Sequence, residues 1–319
     1  MVRRGQNPAK FVGSVARPER ITVAVLTYIP FLSGFHREAL DVLRACLNSL
    51  WSATDVPHDL LVFDNGSGPE AREFLLDSQS QARIQYLLLS DKNLGKGGAW
   101  NIMFQAAPGE ILAYADHDVY FHPGWLSRSL EILETYPKVG MVTSRPFRTP
   151  AEFCGSTLAW AEAAADVQVE HGSFIPWETF REFDLSLGQS EDEILRHYQA
   201  TQDTRLTLRG LPAMVGASHW QFVAHKDVLQ EFLPFEMERP MGQVRELDRR
   251  MDEAGYLRLM TAEPLVMNMS NAVEGVPDQE RKSRPRAVRG LRRRILEFAP
   301  LKRLLLYCYN AVFQWYYGA

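Results

Sequence analysis

Short apolar runs that alternate with helix-patterned segments leave the first half of this chain few ways to fold. Residues 21–26 are β-rich and end at Thr27-Tyr28. Residues 60–63 stop at Asp64-Asn65-Gly66-Ser67-Gly68, a strong turn signal. Residues 84–89 form a third run, 111–115 a fourth that ends in Asp116-His117-Asp118, and 139–143 a fifth. Helical patterns lie between them at 35–51, 69–78, 99–107 and 125–136; in the first, Leu40, Leu43, Cys46, Leu47 and Leu50 share a side. Strands alternating with helices predict an α/β fold with a mostly parallel sheet covered on both faces. Such sheets take ligands in the crevice beyond the carboxyl ends of their strands. Thr27, Asp64, Asp116 and Asp118 are therefore expected to meet there.

Two carboxylates one residue apart at the end of a buried strand suit a hard divalent cation, because Mg²⁺ is commonly held by one or two carboxylates plus substrate phosphates. A surface turn would also use Asp at a strand end. The segment Asn93-Leu94-Gly95-Lys96-Gly97-Gly98 reads as a glycine-rich loop feeding the helix at 99–107. It lacks the Gly-Lys-Ser/Thr of a Walker A loop, and Trp100 breaks the Gly-x-Gly-x-x-Gly pattern, which argues against a P-loop NTPase or an ordinary dehydrogenase. A glycine loop before a helix can still turn backbone N–H groups toward a phosphate, or serve as a tight strand–helix turn.

Beyond residue 150 the pattern is less regular. Residues 190–199 read as a capped helix, with Ser190 followed by acids in its first turn. Residues 243–255 are a strong helix pattern, with Leu247, Met251 and Ala254 on one face and Gly255 as a C-terminal stop. The three cysteines, Cys46, Cys154 and Cys308, show neither a disulfide framework nor a zinc spacing, which suits a reducing compartment. No apolar run reaches 18 residues, so an ordinary membrane-spanning helix is not expected.

In order, Val25-Leu26-Thr27-Tyr28, Val62-Phe63-Asp64-Asn65-Gly66-Ser67, Asn93-Leu94-Gly95-Lys96-Gly97-Gly98-Ala99-Trp100-Asn101 and Asp116-His117-Asp118 resemble a family 2 glycosyltransferase of the GT-A fold. The resemblance covers residues 21–147 well and continues through His122-Pro123-Gly124-Trp125-Leu126. It implies a Rossmann-like nucleotide-diphospho-sugar transferase fold and inverting, metal-dependent transfer of a sugar to a hydroxyl acceptor. Thr27, Tyr28 and Asp64 match positions that hold the base and ribose. Asn93, Gly95, Lys96 and Gly97 match the segment beside the nucleotide. Asp116 and Asp118 match the motif for ribose, Mn²⁺ or Mg²⁺ and diphosphate. Arg245-Glu246-Leu247-Asp248-Arg249-Arg250 through Gly255-Tyr256 matches the segment that carries the base for the acceptor. The spacing puts Glu246 on that carboxylate, with Asp248 as the alternative, while Gln243-Val244 stands where the family usually has Glu-Asp. Asn268 occupies a place where relatives often carry a metal-binding His, and a structural loop Asn is the other reading. His219-Trp220 falls where acceptors bind; Trp220 could stack on a sugar or close a core edge.

The domains expected are a loose basic arm at 1–20, a nucleotide-sugar-binding half at 21–147, an acceptor-binding and catalytic half at 148–280, and a basic amphipathic helical tail at 281–319. The tail holds ten Lys/Arg against the single acid Glu297, which leaves the preceding residues at a net −13 in a chain of net charge −4. Arginines at 289–303 followed by an apolar, aromatic stretch to 317 suit an interfacial helix on an anionic membrane surface; packing on the protein or a second subunit is the other reading, so an oligomer stays open. The partners expected are a nucleotide-sugar donor and a saccharide or lipid-linked acceptor, and no nucleic acid. A cytoplasmic location follows, peripheral at the inner face of the cytoplasmic membrane if the tail binds it. A nucleotidyltransferase is a rival, but it wants a basic glycine-rich loop after its first strand, and Thr27-Tyr28-Ile29-Pro30-Phe31 is not one. A glycosyltransferase-like scaffold that has lost catalysis is the other.

Overall fold

The structure, a computed structural model, describes residues 5–237 and 244–273. The strands are β1 (Ile21–Thr27), β2 (Asp59–Asn65), β3 (Tyr86–Ser90), β4 (Ile111–Asp116), β5 (Val119–Phe121), β6 (Val139–Thr143), β7 (Val167–Gly172), β8 (Asp203–Leu208), β9 (Leu211–Val215), β10 (Gln221–His225), β11 (Leu257–Met260) and β12 (Val266–Asn268). The helices are α1 (Ala39–Ala53), α2 (Pro69–Ser80), α3 (Gly95–Ala106), α4 (Trp125–Thr135), α5 (Gly155–Ala163), α6 (Trp177–Ser186), α7 (Glu191–Ala200), α8 (Lys226–Gln230) and α9 (Arg245–Glu253).

Ten strands form one sheet in the order β3-β2-β1-β4-β10-β6-β11-β9-β8-β7, and β5 pairs separately with β12. β3, β2, β1 and β4 are mutually parallel, and β6 and β11 run alongside each other in that same direction after the reversed β10. β1 is buried at every residue, as expected of a parallel strand covered on both faces. Its alternation divides the core. Val23 and Val25 face Leu43, Leu47 and Leu50 of α1 and Leu75 of α2. Ala24 and Leu26 face Trp100 and Phe104 of α3 and Leu247 and Met251 of α9.

The structure departs from expectation in three elements. α1 begins at Ala39 because 34–36 form a separate 3₁₀ turn that leaves Phe35 exposed. The glycine segment at 95–98 is not a loop but the first turn of α3. The stretch beyond 150 continues the same sheet as an antiparallel β7-β8-β9 meander. Ser190 and Glu193 close a reciprocal capping box at the start of α7. Gly255, with φ +73°, follows the last turn of α9. Residues 5–20 of the expected arm are exposed, whereas the tail at 281–319 and Gln243 lie outside the described residues.

Candidate functional site

The register of the central strands brings the expected polar ends to one edge. Thr27 pairs across with Asp64, and Leu26 pairs with Asp116. Asp64 is fully buried, with Arg72 Nε donating to its Oδ2 at 2.9 Å and the Ser67 amide to its Oδ1 at 3.0 Å. Both of its oxygens are therefore engaged by the protein. The Arg72 guanidinium also donates to the Ser90 carbonyl, tying β3 to the same clasp. Next to it, the Thr27 hydroxyl is buried and has no hydrogen-bond partner. Buried polar atoms are normally paired, so this hydroxyl is a donor and acceptor in reserve. Tyr28 follows it, partly buried.

Asn65, which the sequence offers only as part of a turn, organises the start of α3. Its Oδ1 accepts from the Leu94 amide at 2.9 Å, and its Nδ2 donates to Asn93 Oδ1 at 3.0 Å and to the Gly95 carbonyl at 3.2 Å. Asn93 itself is exposed, and its Oδ1 accepts from the Gly95 amide at 2.8 Å. These bonds compensate for the poor helix propensity of three glycines. Gly97 is buried, and Lys96, two residues into the helix, reaches back across the crevice. Its Nζ lies 2.6 Å from Asp116 Oδ2, while Tyr114 Oη donates to Asp116 Oδ1 at 2.5 Å.

Asp118 has no such clasp. Burial and the nearby Asp116 charge push its carboxyl up to about 7, against the opposing pull of Lys96. Burial holds the His117 imidazole down at about 4, so the ring is neutral over most of the pH range. Asn268 stands beside Asp118: it pairs with Val119 in the β5–β12 register, and the next amide, Met269, donates to the Asp118 carbonyl at 2.8 Å. Its side-chain oxygen accepts from the Ser270 amide at 2.8 Å, the bond of a structural loop Asn, and one lone pair remains.

Among the described residues no cluster of three or more Asp, Glu, His or Cys side chains could hold a metal. Two carboxylates and an amide oxygen are hard donors but fall short of a closed cage. They fit an ion that takes the rest of its shell from phosphate oxygens and water, the habit of Mg²⁺. The raised Asp118 carboxyl points the same way, because desolvated like charges favour either a proton or a cation.

The second half places its candidates unequally. His219 and Trp220 form the tip of a turn bridged by Ser218 and Gln221, and the Trp220 carbonyl accepts from the Asp116 amide at 2.9 Å. That bond sets the turn against the carboxylate edge. Trp220 itself is only 8% exposed and packs on Phe183 with ring centroids 5.6 Å apart. Of the two readings of Trp220, this packing against Phe183 is that of a core edge. His219 Nδ1 lies 2.6 Å from Asp248 Oδ2, and Asp248 Oδ1 accepts from Arg258 Nη2, also at 2.6 Å. Asp248 and Arg258 are both buried.

Glu246 is partly exposed on another side of α9, where Arg249 holds it in an (i, i+3) ion pair. With Phe153, Pro234, Phe235, Arg245 and Arg250 it lines a hollow. Of the two carboxylates weighed for the base, the one joined to the Asp116 edge is Asp248, because a helix turns about 100° per residue and cannot aim both alike. Arg258 was missed by sequence reasoning. The signal was there, a charge inside the apolar run Leu257-Arg258-Leu259-Met260.

Residues 34–155 match the sequence model of glycosyl transferase family 2. An uncharacterized glycosyltransferase of Nostoc sp. is 32% identical over 100 residues, 31% of each chain. Glycosyltransferase AglE of Haloferax volcanii is 26% identical over 137 residues, 38% of this chain and 45% of that one. The chain therefore spans less than half the length of the curated relatives it matches. Among solved structures, the mannosyltransferase PcManGT of Pyrobaculum calidifontis, in complex with GDP-Man and Mn²⁺, is similar at TM-score 0.45 and 16% identity, over 78% of this chain and 56% of that one. TarS of S. aureus, in complex with UDP-GlcNAc, is similar at TM-score 0.45 and 12% identity, over 80% of this chain and 61% of that one. The similarity to glycosyl transferase family 2 thus extends over residues 34–155 of this chain.

Proposed function

We propose that the protein is an inverting, metal-dependent glycosyltransferase that moves a sugar from a nucleotide-diphosphate-sugar to the hydroxyl of a saccharide or lipid-linked acceptor. One observation carries the reading: the β1, β2 and β4 ends bring Thr27, Asp64, Asp116 and Asp118 to the edge where Lys96 also arrives. The family match over 34–155 supports the reaction class.

The chain's own groups suit the parts of such a donor. The unpaired Thr27 hydroxyl and the adjacent Tyr28 suit the base and ribose. Asp64, engaged on both oxygens, holds the wall of that pocket through Arg72. Lys96 and the exposed Asn93 offer a cation and an amide beside the diphosphate. Asp116 and Asp118, with Asn268 beside them, are the residues that would hold Mn²⁺ or Mg²⁺. When bound, such an ion neutralises charge on a departing diphosphate. The reaction is a single displacement. The acceptor oxygen forms a bond to the anomeric carbon, the bond from that carbon to the diphosphate oxygen breaks, and its electron pair leaves with the nucleoside diphosphate.

The test is a panel of UDP-, GDP- and dTDP-sugars scored by thermal shift with and without Mn²⁺. We expect selective stabilisation by one nucleotide, larger with the ion, because a ligand that binds only the folded state stabilises by RT ln(1 + [L]/Kd). The Asp118→Asn variant is expected to keep its fold and lose the part that depends on Mn²⁺. No stabilisation by any member of the panel would overturn the proposal in favour of a scaffold.

A further inference from the structure

We propose that His219 is the catalytic base that takes the proton of the acceptor hydroxyl, and that Asp248 and Arg258 are positioning residues that set its tautomer. This rests on the glycosyltransferase reading above and names the group it leaves open. Three observations lead here.

The first is the geometry of the imidazole. Its Nδ1 sits 2.6 Å from Asp248 Oδ2. An ionised carboxylate only accepts, so the proton of a neutral ring belongs on Nδ1 and the lone pair on Nε2. The His219 side chain keeps 22% exposure, and Nε2 is not among the buried polar atoms that lack a partner. Nε2 is thus the open end of the ring, a base whose orientation is fixed from behind.

The second is the support. Asp248 is buried and takes a second, charged bond from Arg258. Arg258 is fully buried in β11 and is held in turn by the carbonyls of Phe153 and Ala217. A buried arginine is costly unless its donors are satisfied. A chain of Arg258, Asp248 and His219 that runs from the sheet interior to a half-open imidazole is more than packing requires. It resembles the arrangement in which a buried carboxylate holds a histidine in the tautomer that accepts a proton.

The third is location. The turn that carries His219 is hydrogen-bonded to Asp116 through the neighbouring Trp220 carbonyl, at 2.9 Å. The turn that carries the open nitrogen is thus tied to the edge where the donor's diphosphate is proposed to lie. Among the described residues Glu246 is instead paired with Arg249, at the rim of a hollow lined by Phe235 and Arg250. In the step itself, the acceptor O–H proton passes to Nε2 as that oxygen bonds to the anomeric carbon, and the pair from the broken bond departs on the nucleoside diphosphate. Atoms and charge balance without a further reactant.

Two measurements on the full chain test this. Nitrogen-15 NMR of the histidine rings should find the neutral ring of His219 protonated on Nδ1, and Asp248→Asn should move that proton to Nε2. A wild-type ring protonated on Nε2 overturns the proposal whatever the donor is. Nucleoside diphosphate release from UDP-glucose, UDP-GlcNAc and GDP-mannose, with Mn²⁺ and a mixture of glucose, galactose and mannose as acceptors, should fall about 10²–10⁴-fold in His219→Gln. The thermal shift by the same nucleotide-sugar should be retained. His219→Ala should recover at least tenfold with added imidazole, which a structural role would not do. Unchanged release in His219→Gln, or loss in Glu246→Gln with His219→Gln active, would sink the assignment. Absence of any donor-induced shift in the wild type is the separate outcome that removes the glycosyltransferase reading.

Discussion

At the scale of single residues, the carboxylate edge is built from groups that are either fully engaged or conspicuously unengaged. Asp64 spends both oxygens on Arg72 and Ser67, while the Thr27 hydroxyl, paired with it across the sheet, has no partner. A buried hydroxyl without a partner costs about 1–3 kcal/mol in desolvation. Thr27→Val removes the hydroxyl and keeps the shape, so urea unfolding should show equal or greater stability. If the hydroxyl is kept for the donor, the nucleotide-dependent thermal shift should shrink in the same variant. Stability and binding moving in opposite directions is the signature to look for; a variant that loses stability and binds normally would argue that Thr27 is plain packing. The strand-end residues were legible in the sequence because turn-favouring polar groups after apolar runs leave a local mark. The His219–Asp248–Arg258 chain was not, because its bonds join residues 29 and 10 positions apart and exist only once the sheet has assembled.

At the scale of elements, the segment 90–98 shows how side chains can override propensity. Three glycines within four residues read as a loop, yet they open α3 because Asn65 and Asn93 satisfy the first amides. Gly66 makes this possible. Its φ is +90°, and a Cβ there would stand 2.8 Å from the Lys92 carbonyl carbon and 2.9 Å from the Asn93 nitrogen. Gly66→Ala should therefore cost about 2 kcal/mol or more in stability, from left-handed strain plus displaced backbone. It should also weaken nucleotide binding by moving Asn93 and Lys96; normal donor binding in a folded variant would separate this turn from the site. The meander β7-β8-β9 escaped the sequence reading for the opposite reason. Its outer strand alternates between half-exposed and exposed residues, so its pattern lacks the apolar run that marked β1 or β4. Tyr136 fastens this meander to the end of α4. Its hydroxyl donates to the Leu211 carbonyl at 2.8 Å and accepts from the Leu208 amide at 3.2 Å. Burial pushes its phenol up to about 12. A folded-state value above the ordinary 10 contributes stability that is fully present below pH 10 and is lost as pH rises through 12. Tyr136→Phe should cost about 1–2 kcal/mol at neutral pH. It should also flatten the loss of stability between pH 10 and 12; an unchanged alkaline profile would show that another group governs it.

At the scale of the whole molecule, charge is partitioned as unevenly as the fold. The parallel half of the sheet, from β3 to β4, carries the carboxylate edge, whereas His219 lies in the turn before the reversed β10 and Arg258 in β11. No helix among the described residues is long and apolar enough to cross a membrane. The net +9 of residues 281–319 against −13 for those before them is a property of the sequence alone. Electrostatic attraction to anionic lipid is worth about 1 kcal/mol per Lys or Arg near the surface and fades within a Debye length of about 8 Å at physiological salt. Ten basic residues followed by Trp315, Tyr316 and Tyr317 therefore have more than enough attraction to recruit a protein whose remainder is repelled. Full-length protein should co-float with vesicles containing one-third phosphatidylglycerol and should be released by 0.5 M salt if charge dominates. A version ending at Val288 should stay at the bottom of the gradient while keeping its donor-induced thermal shift. Were both proteins to remain unbound, the tail would lose its role at a membrane, and packing against the protein or a second copy would be the reading left. Flotation that survives high salt would instead assign the binding to the aromatic stretch rather than to the arginines.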